Sequence, residues 1–268
     1  DKRVEFNNVL TKGMYQIETE FGYSVDFLYD DALIKMLVKD IDDINSIVFI
    51  DSQTNNDWYA YQNIKEHTLN SLDLLKPILR NYDKDSDFYM NAKNEYQYLQ
   101  DSFASFTDSL MLHDNYASNL IKVDRFPLIN LDEDFDKQRK DMIANFFEDV
   151  DFNDTSLIPT DVLTNKILDF LSIQITADQN EEQQIMSLIL ASDNVLNRTT
   201  MNYEVYKFVF QFLIETFNEL NLNDVVDYLS RIPYSEKIDC NEEQFNKLLS
   251  IAEFNSRARI GSIAKNIS

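Results

Sequence analysis

Apolar positions first recur at intervals of two, then at intervals of three and four, and the change falls near Ser52. Before it come short β-type runs, Val4 to Phe6, Met14 to Glu20, Val25 to Tyr29, Leu33 to Lys39 and Ile47 to Ile50. Tyr15, Ile17 and Thr19 alternate with Gln16, Glu18 and Glu20, the pattern of a half-buried strand. Ile47-Val48-Phe49-Ile50 is apolar throughout and predicts a central strand. The runs look like the tail of a β-sheet domain that began upstream, and Asp1-Lys2-Arg3-Val4 reads as the inside of a longer precursor.

After Ser52 the period is helical. Asn55 or Asn56 is placed to cap a helix through Trp58, Tyr61, Ile64, Leu69, Leu72 and Leu75, which Pro77 kinks or ends before Tyr82. A second helix runs from about Phe88 to His113, with Tyr89, Ala92, Tyr96, Leu99, Phe103, Phe106 and Leu110 on one face. Tyr116 to Arg125 is shorter and stops at Phe126-Pro127; an acidic loop and a helix from Lys137 to Phe147 follow.

The next turn is a structural corner. Phe152 stands alone among Asp149, Asp151, Asn153 and Asp154, and a lone aromatic in so polar a loop gains most by entering a core. Thr160 or Asp161 then caps a helix with apolar Leu163, Ile167, Phe170 and Leu171. Further helices are expected over Glu181 to Leu196, Tyr203 to Phe217, Leu222 to Ile232 and Asn241 to Phe254. The Tyr203 helix is apolar nearly all round, the mark of a central, buried element. The fold class is therefore mainly α: an irregular multi-helix domain (53–256) preceded by a small antiparallel β-sheet segment (1–52), with 257–268 as a linker or the start of a downstream domain.

Composition sharpens this. Among 268 residues there are 3 Gly and 4 Pro, so tight-turn chemistry is rare and helices are favoured over hairpins. The net charge of -23 repels phosphate backbones and anionic lipid, which argues against nucleic-acid binding. No apolar run is long enough to span a membrane, and no signal peptide is visible.

Candidate chemistry is sparse. Asp83, Asp85 and Asp87 open like a calcium loop, but Phe88 and Asn94 stand where such a loop needs glycine and glutamate. They are weak metal candidates, and acids at a helix start are the simpler reading. His67 and His113 share no ligand spacing or triad. Cys240, the one cysteine, permits no internal disulfide and sits among acids that oppose thiolate formation. No catalytic residue, cofactor site or metal site is assigned.

Several of these segments together resemble a family. They are Phe146-Phe147, Val150-Asp151-Phe152-Asn153-Asp154, Leu157, and the helix opening Val162-Leu163-Thr164-Asn165-Lys166-Ile167. Lys12-Gly13-Met14-Tyr15, Val25-Asp26-Phe27-Leu28-Tyr29 and Asp51-Ser52 with Asn55 and Trp58 belong to the same pattern, as does Arg259-Ile260-Gly261-Ser262-Ile263-Ala264. The chain resembles the non-catalytic N-terminal region of secreted redoxin (thioredoxin-like) proteins of Gram-negative envelopes, a small β-domain continued by a helical domain. Lys265, Thr155 and Asp161 depart from it, standing where proline is usual.

The resemblance implies structural-motif roles for Phe146, Phe147, Asp151, Phe152, Asp154, Leu163 and Lys166. It implies a periplasmic or envelope location and thiol chemistry in a thioredoxin-like domain after Ser268. The expected function is that of an accessory module, with that domain or another envelope protein as partner. The alternative is an independent secreted helical binding protein for a peptide or glycan. An enzyme built on scattered carboxylates is a third class.

Overall fold

A computed structural model describes residues 10–18, 24–38 and 47–231. The expected run Val4 to Phe6, the helix from Asn241, Cys240 and the segment 257–268 lie outside these residues. The protein is mainly α, with a small antiparallel β segment before the helices.

Strands β1 (Gly13–Glu18) and β2 (Ser24–Tyr29) form one antiparallel pair, and β3 (Lys35–Val38) and β4 (Ile47–Ile50) form another. The alternation expected in β1 is present: Tyr15 and Ile17 are half-buried, Gln16 and Glu18 exposed. The expectation for β4 needs correction. Among the described residues it pairs only with β3, and of its side chains only Phe49 is buried, while Val48 and Ile50 face out. An all-apolar run of four cannot by itself distinguish a strand covered on both faces from one covered on one.

The helices are α1 (Gln53–Asn81), α2 (Asp87–Met111), α3 (Tyr116–Asp124), α4 (Phe135–Asn145), α5 (Asp161–Ser172), α6 (Glu181–Thr199), α7 (Tyr203–Glu219) and α8 (Asn223–Leu229). A 3-10 turn occupies Thr155–Leu157. The cap of α1 is a second correction: Ser52 holds it, accepting from the Asn55 N–H, while Asn55 itself is wholly buried. Pro77 is accommodated within α1, which ends at Asn81.

Backbone contacts divide the chain into two compact units. The first contains the strands, α1 to α4 and Pro159–Val162; the second contains, among the described residues, Asp151–Ile158 and 163–231. In the first, an aromatic series runs through the core. Trp58 lies 5.6 Å from Tyr61, Tyr61 lies 6.2 Å from Phe103, and Phe103 stacks on Phe126 at 4.2 Å. Gly13 permits a close approach: its backbone neighbour Met14 donates to the Pro159 carbonyl (3.0 Å), and a Cβ on Gly13 would meet the Pro159 ring at 3.1 Å.

The second unit packs around α7, where Val205, Tyr206, Val209, Phe210, Leu213, Ile214 and Phe217 are buried. Phe208 and Phe212 keep partial exposure, so the helix is not buried all round.

Turns in this chain use few glycines because acids and amides replace them. Asp31, Asp51, Asp114 and Asn221 all adopt positive φ, between 49° and 69°. Asp and Asn tolerate this left-handed region better than other residues with a Cβ.

Candidate functional site

The densest polar chemistry lies where α1 begins. Asn55 presents its side-chain amide to Leu28 of β2 as a neighbouring strand would: Oδ1 accepts the Leu28 N–H (2.7 Å) and Nδ2 donates to the Leu28 carbonyl (2.8 Å). Nδ2 also reaches Ser52 Oγ at 2.9 Å. Two residues on, the buried Asp57 carboxylate gathers three side chains. Gln53 donates to Oδ1 at 2.7 Å, while Asn115 (2.7 Å) and His113 Nδ1 (2.8 Å) meet Oδ2. The His113 side chain is 44% exposed and that of Asp57 only 3%. Asn115 caps α3 with its other end, in a reciprocal box with Ser118. Asp57 thus joins the start of α1 to the α2–α3 turn. Gln100 repeats the Asn55 device, bridging the Ile129 N–H (2.7 Å) and carbonyl (3.0 Å).

A second group of polar residues includes several titratable side chains that the fold shifts. Lys65 pairs with the largely buried Asp124 at 2.7 Å and lies 5.9 Å from the Tyr61 ring centre. The buried Tyr61 hydroxyl makes no hydrogen bond of good geometry, and burial first, then the Asp124 charge, push it far above the usual phenol range. Tyr59 donates to the Asp26 carbonyl (2.7 Å) and is pushed up to about 12 by burial and the Asp26 carboxylate. Burial, and next Asp124, also raise Asp161 above the ordinary aspartate range.

The residues singled out from sequence are spread over both units. Asp83 Oδ1 accepts the Asp85 N–H (3.1 Å), Ser86 caps α2, and Asp87 occupies its first turn. This is helix-start geometry, and among the described residues no group of three acids, histidines or cysteines is placed to hold a metal. His67 is exposed. Phe146 and Phe147 are buried edge to face at 5.3 Å in the first unit. In the second, Asp151 Oδ1 accepts from the Asn153 N–H and Asp154 Oδ1 from the Ser156 N–H, both at 2.9 Å. These two turns direct Phe152 inward, where it is 6% exposed, as its solitary place among acids predicts. Leu163 and Lys166 are also buried.

Sequence reasoning missed Asn55, Asp57, Gln100 and the Tyr61–Asp124–Asp161 group. Asn55 drew attention as a cap and as part of the resemblance, not as a bridge to β2. For Asp57 the signal is spatial, since its partners His113 and Asn115 lie far along the chain.

Three side chains on the surface of the first unit also stand out. Tyr82 (54% exposed) meets Phe88 (51%) edge-on at 4.9 Å, and Arg80 lies 5.4 Å over the ring of Phe135 (60%). No helix among the described residues is long and apolar enough to cross a membrane.

No protein-family model, no curated protein and no solved structure matches the chain.

Proposed function

We propose that the chain is a non-catalytic module of an envelope thioredoxin-like oxidoreductase, serving to position that domain or to offer it, or another envelope protein, a surface. The observation that carries this reading is the use made of the buried polar groups. Asn55, Asp57 and Gln100 all bind groups of the chain itself, and each joins one element to another. Such groups stiffen a scaffold. The resemblance of the Phe146–Ile167 and Lys12–Trp58 segments to redoxin N-terminal regions supplies the oxidoreductase context.

Reading the coding sequence beyond Ser268 tests the proposal. A redoxin domain with Cys-x-x-Cys or a single reactive cysteine supports it; a stop codon directly after Ser268 overturns it. The chain alone is expected to show no turnover in insulin reduction. Turnover that survives Cys240→Ser would overturn the non-catalytic assignment.

The second reading, an independent binding protein for a peptide or glycan, is favoured by the exposed rings of Tyr82, Phe88 and Phe135.

A further inference from the structure

The surface formed by Tyr82, Phe88 and Phe135 brings together the end of α1, the start of α2 and the start of α4. Two contacts fix the juxtaposition: Arg80 of α1 lies over Phe135, and Lys93 of α2 pairs with Asp132 in the loop before α4. All these residues belong to the first unit. Large rings so placed lose apolar contact with water only when something covers them.

The charges around the rings are mostly negative. Between Tyr82 and Phe88 lie the exposed Asp83, Asp85 and Asp87, with Lys84 as the one base; around Phe135 the exposed Asp134 and Asp136 stand beside Arg80 over the ring, while Asp132 is paired with Lys93 and Glu133 with Lys137. The rest of the chain strengthens this field, since the whole carries -23. Aromatic faces edged by carboxylates suit cationic side chains, which gain from both the ring quadrupole and the charge.

The ring geometry separates a polypeptide from a sugar. Tyr82 and Phe88 meet at 62°, so they offer no flat platform for a pyranose face, and Arg80 already covers part of Phe135. The outer faces of the inclined pair instead suit separate side chains.

We infer that this surface docks a basic polypeptide segment carrying aromatic or aliphatic side chains among its lysines and arginines. The inference rests on reading the chain as an interaction module and names the chemistry of its partner. It does not depend on whether a redoxin domain follows Ser268.

The test is calorimetric titration of the 268-residue chain with a synthetic peptide of alternating lysine and tryptophan. Oligolysine, a glutamate–tryptophan peptide and chitohexaose are run beside it. The lysine–tryptophan peptide should bind, and oligolysine should bind about tenfold more weakly for want of rings to bury. The acidic peptide should show no binding. Raising the salt to about 1 M, where the screening length is ~3 Å, should weaken the complex markedly.

The combined variant Tyr82→Ser, Phe88→Ser, Phe135→Ser should lose about tenfold or more in affinity. If that variant does not fold, Asp85→Asn with Asp136→Asn decides, because both sites are exposed; its affinity should fall and its salt dependence flatten. Absence of binding, binding indifferent to a folded ring variant (or to the charge pair where it decides), or binding of chitohexaose in place of the peptide would each overturn the inference. A stop codon after Ser268 with peptide binding intact would overturn the oxidoreductase reading alone.

Discussion

The two units hold themselves together by different means. In the first, buried amides and a carboxylate stand in for peptide groups: Asn55 closes against Leu28, Gln100 against Ile129, and Asp57 joins α1 to the α2–α3 turn. In the second, the buried hydroxyls of Ser192 and Thr199 donate only to carbonyls of their own helix, Leu188 and Leu196, and join nothing to anything. The side-chain links between its elements from Asn202 to the Asn153 carbonyl and from Tyr228 to Asp193 are exposed or part-buried, and the core is built on α7, with Val205, Val209, Phe210 and Leu213 at essentially zero exposure. The difference bears on specificity. An apolar core tolerates exchange of shape for shape, whereas a bridging amide fixes which backbone groups must meet.

The largest effects should come from cavities in the second unit. Phe210→Ala is expected to destabilise by about 3–5 kcal/mol, the usual cost of emptying a fully packed aromatic site. Phe152→Ala should cost a similar amount, since the ring is buried although the loop carrying it is acidic. Chemical denaturation of the purified variants measures both. A Phe152→Ala midpoint equal to the wild type would mean that the loop anchors nothing.

The bridging residues of the first unit should follow closely. Asn55→Leu keeps the size of the side chain but strands the Leu28 N–H and carbonyl, at roughly 1–3 kcal/mol for each buried group, so about 2–6 kcal/mol in total is expected. Ser192→Ala in the second unit is the matched control, because the Leu188 carbonyl it leaves sits within a helical turn. If Ser192→Ala proves as costly as Asn55→Leu, the contrast between the units fails.

The same contrast explains what could be read from sequence. Apolar periodicity located α7, the long α2 and the β1 alternation, because burial of an amphipathic face repeats at the period of the element. It misassigned positions where polar residues enter the core. On α2 the period favoured Leu99 and Phe106, yet Gln100 and Thr107 are buried and those two are only half-buried. Gln100 is inside because the 128–131 loop needs a partner for Ile129, a requirement that appears only when distant segments meet. The cap of α1 was misread for the same reason, since β2 takes Asn55 for its own backbone. Phe152 could be read because its contrast with neighbouring residues is local.

The smallest expected effect concerns Asp161, the first residue of α5. Its carboxyl is raised above the ordinary range by burial, then by Asp124 and Asp26, with Lys65 opposing. A raised acid favours the protonated form in the folded protein, so ionisation at neutral pH costs stability. The sign follows from the two states. Below the unfolded value of about 3.9, both states hold the proton and there is no penalty. As pH climbs through that value, the unfolded chain releases its proton first, and stability falls until the folded carboxyl ionises as well. Asp161→Asn removes this charge while keeping an oxygen acceptor at the helix start, so at pH 7 the variant should melt slightly above the wild type. The favourable effect of a charge near the helix N-terminus works against the gain and keeps it small. The difference should shrink as the pH is lowered below the usual aspartate range, where the wild-type side chain is also neutral. Thermal melts of the two proteins across that range provide the measurement. A variant that melts below the wild type at pH 7, or a difference that persists unchanged in acid, would show that Asp161 is held as a stabilising anion and that the Lys65–Asp124 pair does not repel it.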